Sequence, residues 1–261
     1  MTIDSRRGAL KGPFVRWADV AERRGNVVVQ AIRIAEAWVY MMEPEGGYVV
    51  REQVHASEQV VQVLSGSLRL QVGGDERGGE TRLLTEHDIA VVPAGHYHRG
   101  LVTTASRIFE LNTPADNENL FDPAKGAVAL TYPRKGAPLR TGRGRVLGYF
   151  ARWARVQGGA VKHLYGDRVH VEHLTLAPGT TGSGTNDGTV VIQPLRGSVT
   201  LTLDGVEQTI DAGWVAVGRA GGTWAASCPG GAELLEVRFL PQGPLAALAG
   251  LAGELQRRLK G

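Results

Sequence analysis

A chain of 261 residues, 43% of them hydrophobic, has room for one large or two medium domains and enough apolar side chains to bury their cores. Its 29 basic against 26 acidic side chains leave a formal charge of only +3, which argues against a nucleic-acid binder, since such proteins concentrate Lys and Arg on one face. The single cysteine, Cys228, excludes an intramolecular disulfide and a thiolate metal cluster, so a metal here must use imidazole, amide or carboxylate ligands.

The N-terminus has no apolar run of secretory length and no later stretch approaches membrane-spanning length, so the expectation is a soluble cytoplasmic protein. Short runs with a two-residue apolar period, separated by turn residues, predict an all-β sandwich or barrel. Glu36, Trp38, Tyr40 and Met42 alternate on an early strand and could line a cavity. Gln53, His55 and Gln59 share parity, so an extended chain projects all three to one side, with Val61 and Val63 continuing that side as apolar wall. Glu52 has the opposite parity and is expected to face away. Gly66 is then expected to turn the chain. Glu86-His87-Asp88-Ile89-Ala90-Val91-Val92 runs into Pro93-Ala94-Gly95, a turn that delivers His96 and His98. The strand after it carries Glu110, followed by Asp116.

The chain then repeats itself. Phe14-Val15-Arg16-Trp17 is echoed by Phe150-Ala151-Arg152-Trp153, Met42-Glu43-Pro44 by Leu176-Ala177-Pro178, and Val63-Leu64-Ser65-Gly66 by Pro194-Leu195-Arg196-Gly197. Two homologous halves follow, residues 1–132 and 148–261, joined by a Pro-, Gly- and Arg-rich stretch at 133–147 that reads as a solvated linker. Ser198-Val199-Thr200-Leu201-Thr202-Leu203 with Asp204-Gly205 is a strand meeting a hairpin turn. Among the second half's imidazoles, His170 and His173 have opposite parity on one strand and form no shared site. Leu245, Leu248, Leu251, Leu255 and Leu259 recur at helical spacing and predict a short C-terminal amphipathic helix.

The first half resembles the cupin superfamily. Gly47, Gln53, His55, Gln59 and Gly66 fall on the spacing of that family's first motif, and Pro93, Gly95 and His98 on that of the second. The resemblance implies two tandem cupin barrels, jelly-roll-like double-stranded β-helices, with a metal in the mouth of the first. His55, Gln59 and His98 would be ligands, Gln53 would fill or flank the fourth position, and His96 is the alternative third imidazole. Gln53 and Gln59 replace the family's first histidine and its glutamate. Such a set favours one divalent transition ion, Zn, Ni, Co, Fe or Mn. In uronate-linearising cupins a catalytic Asp stands where this chain has Glu110, which makes Glu110 the candidate base, with Tyr40 as a possible hydrogen-bonding phenol. Asp116 stands where those proteins have Arg, which argues against a uronate. Aligning the halves puts Gly184, Asn186, Val190 and Trp224 at the ligand positions of the second barrel, which therefore has no such site.

These readings lead to a metal-dependent enzyme that performs an isomerisation, cyclisation or lyase reaction by proton transfer on a small oxygenated organic molecule. A non-haem metal dioxygenase and a non-catalytic small-molecule binder are the alternatives. The partners expected are a small-molecule substrate, no nucleic acid and no membrane, with the chain acting as a monomer that contains an internal pseudo-dimer or as a homodimer.

Overall fold

Two-residue periodicity becomes strand nearly everywhere in the computed structural model, which describes residues 2–5, 8–73, 79–114, 119, 138–142 and 144–240. Each half curls antiparallel strands around its own apolar interior, the first as one continuous sheet and the second as two. In the first half, the strands Glu58–Val72 and Tyr97–Thr113 run side by side through the whole barrel. Near one end they are flanked by Trp38–Pro44 and Asp88–Val92, near the other by Val49–Val54 and Glu80–Thr85. The pair bends from one wall of the barrel to the other through register shifts between Val102 and Ile108. Gly66 sits opposite that bend with φ +77°, and a Cβ there would run into the Ala105 carbonyl. This corrects the expected turn: Gly66 kinks one continuous strand, because left-handed backbone and close approach both require glycine.

The second half repeats the plan. Val161–Tyr165, Val169–Leu176, Ala232–Phe239, Val190–Gly197 and Trp214–Gly218 form one wall, and Thr180–Thr185, Thr223–Cys228, Val199–Leu203 and Val206–Ile210 the other. The Asp204-Gly205 hairpin turn holds both residues at positive φ, 49° and 81°, as a two-residue turn of this hand requires.

The halves exchange strands. Phe14–Arg16 pairs with Trp214–Gly218 of the second barrel, and Phe150–Arg152 pairs with Asp88–Val92 of the first. Phe150 thereby enters the interior of the first barrel while Phe14 packs on that of the second. The tryptophans after each exchanged strand are fully buried at the seam, and both indoles find an amide: Trp17 Nε1 donates to Gln193 Oε1 at 2.9 Å, Trp153 Nε1 to Gln62 Oε1 at 2.8 Å. Around them one apolar cluster, including Val60, Ile89, Phe109, Leu111, Val171, Val191 and Val237, belongs to both halves. The two halves thus share one core.

Part of the stretch read as a linker is sheet. Leu139–Thr141 pairs with Val161–Tyr165 and with Val146–Gly148, and Leu139 is fully buried, so this segment closes the edge of the second barrel. Leu139, with Leu147 packed against the same core, anchors it. The predicted C-terminal helix and Asp116 lie outside the described residues. No α-helix occurs among the described residues, and none is long and apolar enough to cross a membrane. Cys228 is a buried free thiol.

Candidate metal centre

The Val49–Val54 strand carries Gln53, breaks at His55–Ser57, and resumes as Glu58–Val72, so the three residues of shared parity lie on two strands and the bend between them. The Pro93-Ala94-Gly95 turn meets that bend directly: Gly95 N donates to the His55 carbonyl at 2.8 Å. The strand leaving the turn pairs His98 with Gln53. Three side chains converge as a result. Gln53 Oε1 lies 3.0 Å from His55 Nε2 and 3.1 Å from His98 Nε2, and the two ring centroids are 5.3 Å apart. His55 and His98 are each 3% exposed.

These atoms suit a cation. His98 Nδ1 faces the His96 carbonyl at 3.4 Å, and a proton donated there leaves a lone pair on Nε2, aimed at the lone pairs of Gln53 Oε1. Burial and the neighbouring His55 ring push the His98 pKa down to about 3, so the imidazole stays neutral, as a ligand must. The two amide-to-imidazole distances also match the roughly 3 Å edge between adjacent ligands of a six-coordinate ion with bonds of about 2.1 Å. The residues therefore fit a divalent transition ion, for which imidazole nitrogen and amide oxygen are suitable donors.

The wall facing this cluster is read from strand register. Val61, Val92, Ile108 and Met42 belong to or pack on the apolar interior of the first barrel, and residues of the same parity face the same way. Gln59, 3% exposed, stands opposite Val92 and Asn112; Glu110 stands opposite Val61 and Tyr40. Glu110 is half-buried, but its carboxyl is enclosed by protein. Burial raises its pKa, and a hydrogen bond from Asn112 Nδ2 at 2.9 Å opposes the rise. Trp38 stacks on Tyr40 at 5.9 Å and lies under the Arg33 guanidinium.

Other sequence candidates go elsewhere. Glu36 accepts a hydrogen bond from Thr189 Oγ1 at 2.7 Å and so ties the first half to the second. His96 packs edge-on against Tyr149, with Nδ1 3.3 Å from the Ala94 carbonyl. Glu52 faces outward as its parity requires, 3.5 Å from Arg99.

The sequence reading missed what holds the ligand-bearing bend. Asn119 clamps the backbone on both sides of Gln53, accepting from Val54 N at 3.1 Å and donating to the Glu52 carbonyl at 3.0 Å. Arg168, from the second half, donates to the Ala56 carbonyl at 2.9 Å and to the Thr113 carbonyl at 3.2 Å. Glu58 is fully buried and accepts from the backbone N–H of Asp167 at 2.8 Å and of Arg168 at 3.1 Å. Burial outweighs those bonds and pushes its pKa up to about 7. A glutamate beside Gln59 with the outward parity reads as a solvated residue; only the loop at 166–168, arriving from more than a hundred residues away, encloses it. Gly166 has no side chain because a Cβ there would meet the Glu58 carboxyl.

In the second barrel the corresponding positions carry no imidazole. Trp224 pairs with Gly184 and lies over it, so that a Cβ on Gly184 would be 3.2 Å from the indole nitrogen, while Asn186 and Val190 are buried beside the same strands. His173 points to the seam against Trp153, and His170 to the opposite face of its strand.

By sequence, no family model and no curated protein matches the chain. Its structure resembles protein Ylba from E. coli (TM-score 0.67, 13% identity, covering 88% of this chain and 91% of that one) and AerE from Microcystis aeruginosa (0.64, 12%, 85% and 96%). It also resembles oxalate decarboxylase of Bacillus subtilis, a protein with Mn(II) centres (0.64, 10%, 88% and 78%). At such identities the likeness is one of fold. The chain has the all-β cupin fold, as two tandem barrels.

Proposed function

We propose that the chain is a metal-dependent enzyme that moves protons on a small oxygenated organic molecule, in an isomerisation, cyclisation or lyase reaction, with its reacting centre in the first barrel. His55, His98, Gln53 and Gln59 would hold one divalent transition ion. The observation that carries this reading is the convergence of two buried imidazoles on one amide oxygen, within 3.1 Å. When bound, an ion without an anionic ligand keeps its full charge and supplies Lewis acidity toward a carbonyl or enediol oxygen.

The chain's own residues supply the rest. Glu110 is enclosed in the same interior, and burial raises its pKa toward the range in which a carboxylate takes up a proton and returns it within one turnover. Asn112 holds one carboxyl oxygen in place, leaving the other to act as base. Tyr40 stands directly opposite Glu110 across the strand pair, placed to hydrogen-bond an oxygen of a molecule seated against that wall. The apolar surface of Val61, Val92, Ile108 and Met42 limits water around the carboxyl.

The test uses untagged protein purified without added metal, with a panel of small hydroxy and keto compounds in D₂O and NMR detection of solvent deuterium incorporated at carbon. Glu110→Gln is expected to lower turnover by about 10²–10⁴-fold with the ion content unchanged. His98→Ala is expected to lose both ion and turnover. Full turnover in Glu110→Gln removes the role of that residue, and wild-type protein containing no transition metal removes the enzyme reading.

A further inference from the structure

The second half lacks the ligand pattern of the first, yet its sheet brings two imidazoles and a carboxylate to one point at a different place. His163 lies on Val161–Tyr165, while His170 and Glu172 lie on the neighbouring Val169–Leu176. Direct cross-strand pairing of His163 with Glu172, and of Tyr165 with His170, puts all four side chains on one face. The donor atoms form a triangle. His163 Nδ1 is 3.1 Å from His170 Nε2 and 3.0 Å from Glu172 Oε1, and His170 Nε2 is 3.7 Å from Glu172 Oε1. Two of these edges lie in the range of about 3.0–3.4 Å that neighbouring ligands of an ion with bonds near 2.1 Å leave between them, in octahedral or tetrahedral geometry, and the third, at 3.7 Å, is longer.

Two of the three donors are also held from behind. The Tyr165 ring stacks on His170 at 4.2 Å and nearly parallel, which fixes the rotation of the imidazole. Arg238 Nε donates to Glu172 Oε2 at 3.0 Å, so the other carboxylate oxygen is the one turned toward the two rings. The Arg238 charge does not repel a cation strongly, because it is shared between Glu172 and Glu236, the latter at 2.7 Å. A second His/Glu group, His87, His173 and Glu233 at the seam, is less suitable: Arg196 lies 3.2 Å from the His87 ring, and the Lys162 ammonium acts on His173.

We propose that His163, His170 and Glu172 are a second metal site, in the C-terminal half, for a borderline divalent ion of the Zn, Co or Ni type. Two imidazoles and one carboxylate on one side of an ion leave its remaining positions to water. The His163 side chain is 41% exposed while the other two are 13–14% exposed, so the open side faces solvent. The site does not repeat that of the first barrel, whose counterparts here are Gly184, Asn186, Val190 and Trp224.

The test is a titration of the chelator-stripped full chain with Co(II) and with Zn(II), followed by calorimetry and by elemental analysis after gel filtration. Wild type is expected to bind two equivalents. His163→Ala and Glu172→Gln should each lose one of them, or weaken it at least tenfold, and His98→Ala should lose the other. His163→Ala carries the test because its side chain is the most exposed, with far-UV circular dichroism verifying the fold. Unchanged stoichiometry and affinity in His163→Ala overturns the second site whatever the first barrel does. A wild-type chain that binds a single ion, retained in His98→Ala and lost in His163→Ala, supports the second site and removes the first. A single ion retained in His163→Ala, or no ion at all, overturns it.

Discussion

The two barrels differ in what fills their mouths and agree in what joins them. Gly66 and Gly197 are both at positive φ, Gly66 kinking one long strand and Gly197 ending a strand just before the next begins, and Trp17–Gln193 mirrors Trp153–Gln62 across the seam. Glu236 stands opposite Ile192 as Glu110 stands opposite Val61, and burial raises both carboxyls, but Glu236 is tied to the Arg238 guanidinium while Glu110 accepts from the neutral amide of Asn112. Where the first barrel has His55 and His98, the second has Asn186 and Trp224. Architecture is present twice because each half needs the other's strand and tryptophan to close its core. The buried pair His55 and His98 has no counterpart in the second barrel, since nothing in the packing demands one.

The largest effect is expected at the shared seam. Trp17→Ala and Trp153→Ala should each cost about 3–5 kcal/mol in urea unfolding, because each removes a fully buried indole and leaves an amide without its donor. The two losses should agree within about 1 kcal/mol if the exchange is reciprocal. A loss below about 1 kcal/mol for either breaks the symmetry.

Next is Glu58, which has no acidic counterpart in the second barrel, where Thr189 takes its place. Its folded pKa, about 7, lies above the ordinary 4.5, so the folded state holds the proton more tightly than the unfolded state. The stability this gives is complete below pH 4.5 and is lost as pH rises through 7. Measured on metal-stripped protein, the stability of wild type relative to Glu58→Gln should therefore fall by about 3 kcal/mol between those limits and then level off. A pH-independent difference would mean that the carboxyl is solvated.

Arg168→Met sharpens the comparison most finely, since it asks how the second half serves the first. Losing its bonds to Ala56 and Thr113 should cost about 1.5–3 kcal/mol. Ion affinity at His55 and His98 should drop about 10–100-fold, with the affinity at His163 unchanged. Equal losses at both sites would indicate a general loosening of the fold instead.

The barrels, the repeat and the pair His55 and His98 were legible because strands have a period of two and because the Pro93–Gly95 turn has its own residue chemistry. Trp224 at a ligand position of the second barrel was legible from the same spacing, and the structure lays it over Gly184. Two things were not. A turn at Gly66 and a kink at Gly66 use the same residue, and only the partner strand beside it distinguishes them. His170 was compared with His173 on its own strand, whereas its neighbour in space, His163, sits across a strand pair whose register local sequence does not specify.

The sequence by itself determined the all-β class, the doubling, and which half keeps imidazoles at matched spacing, because these follow from side-chain alternation and from turn residues acting on their neighbours. Tertiary structure alone decided the strand exchange at Phe14 and Phe150, the burial of Glu58 under the loop at 166–168, and the meeting of His163 with His170 and Glu172. Each of these joins residues on different strands or in different halves, and such contacts are set by how whole sheets pack and register, which no local pattern encodes.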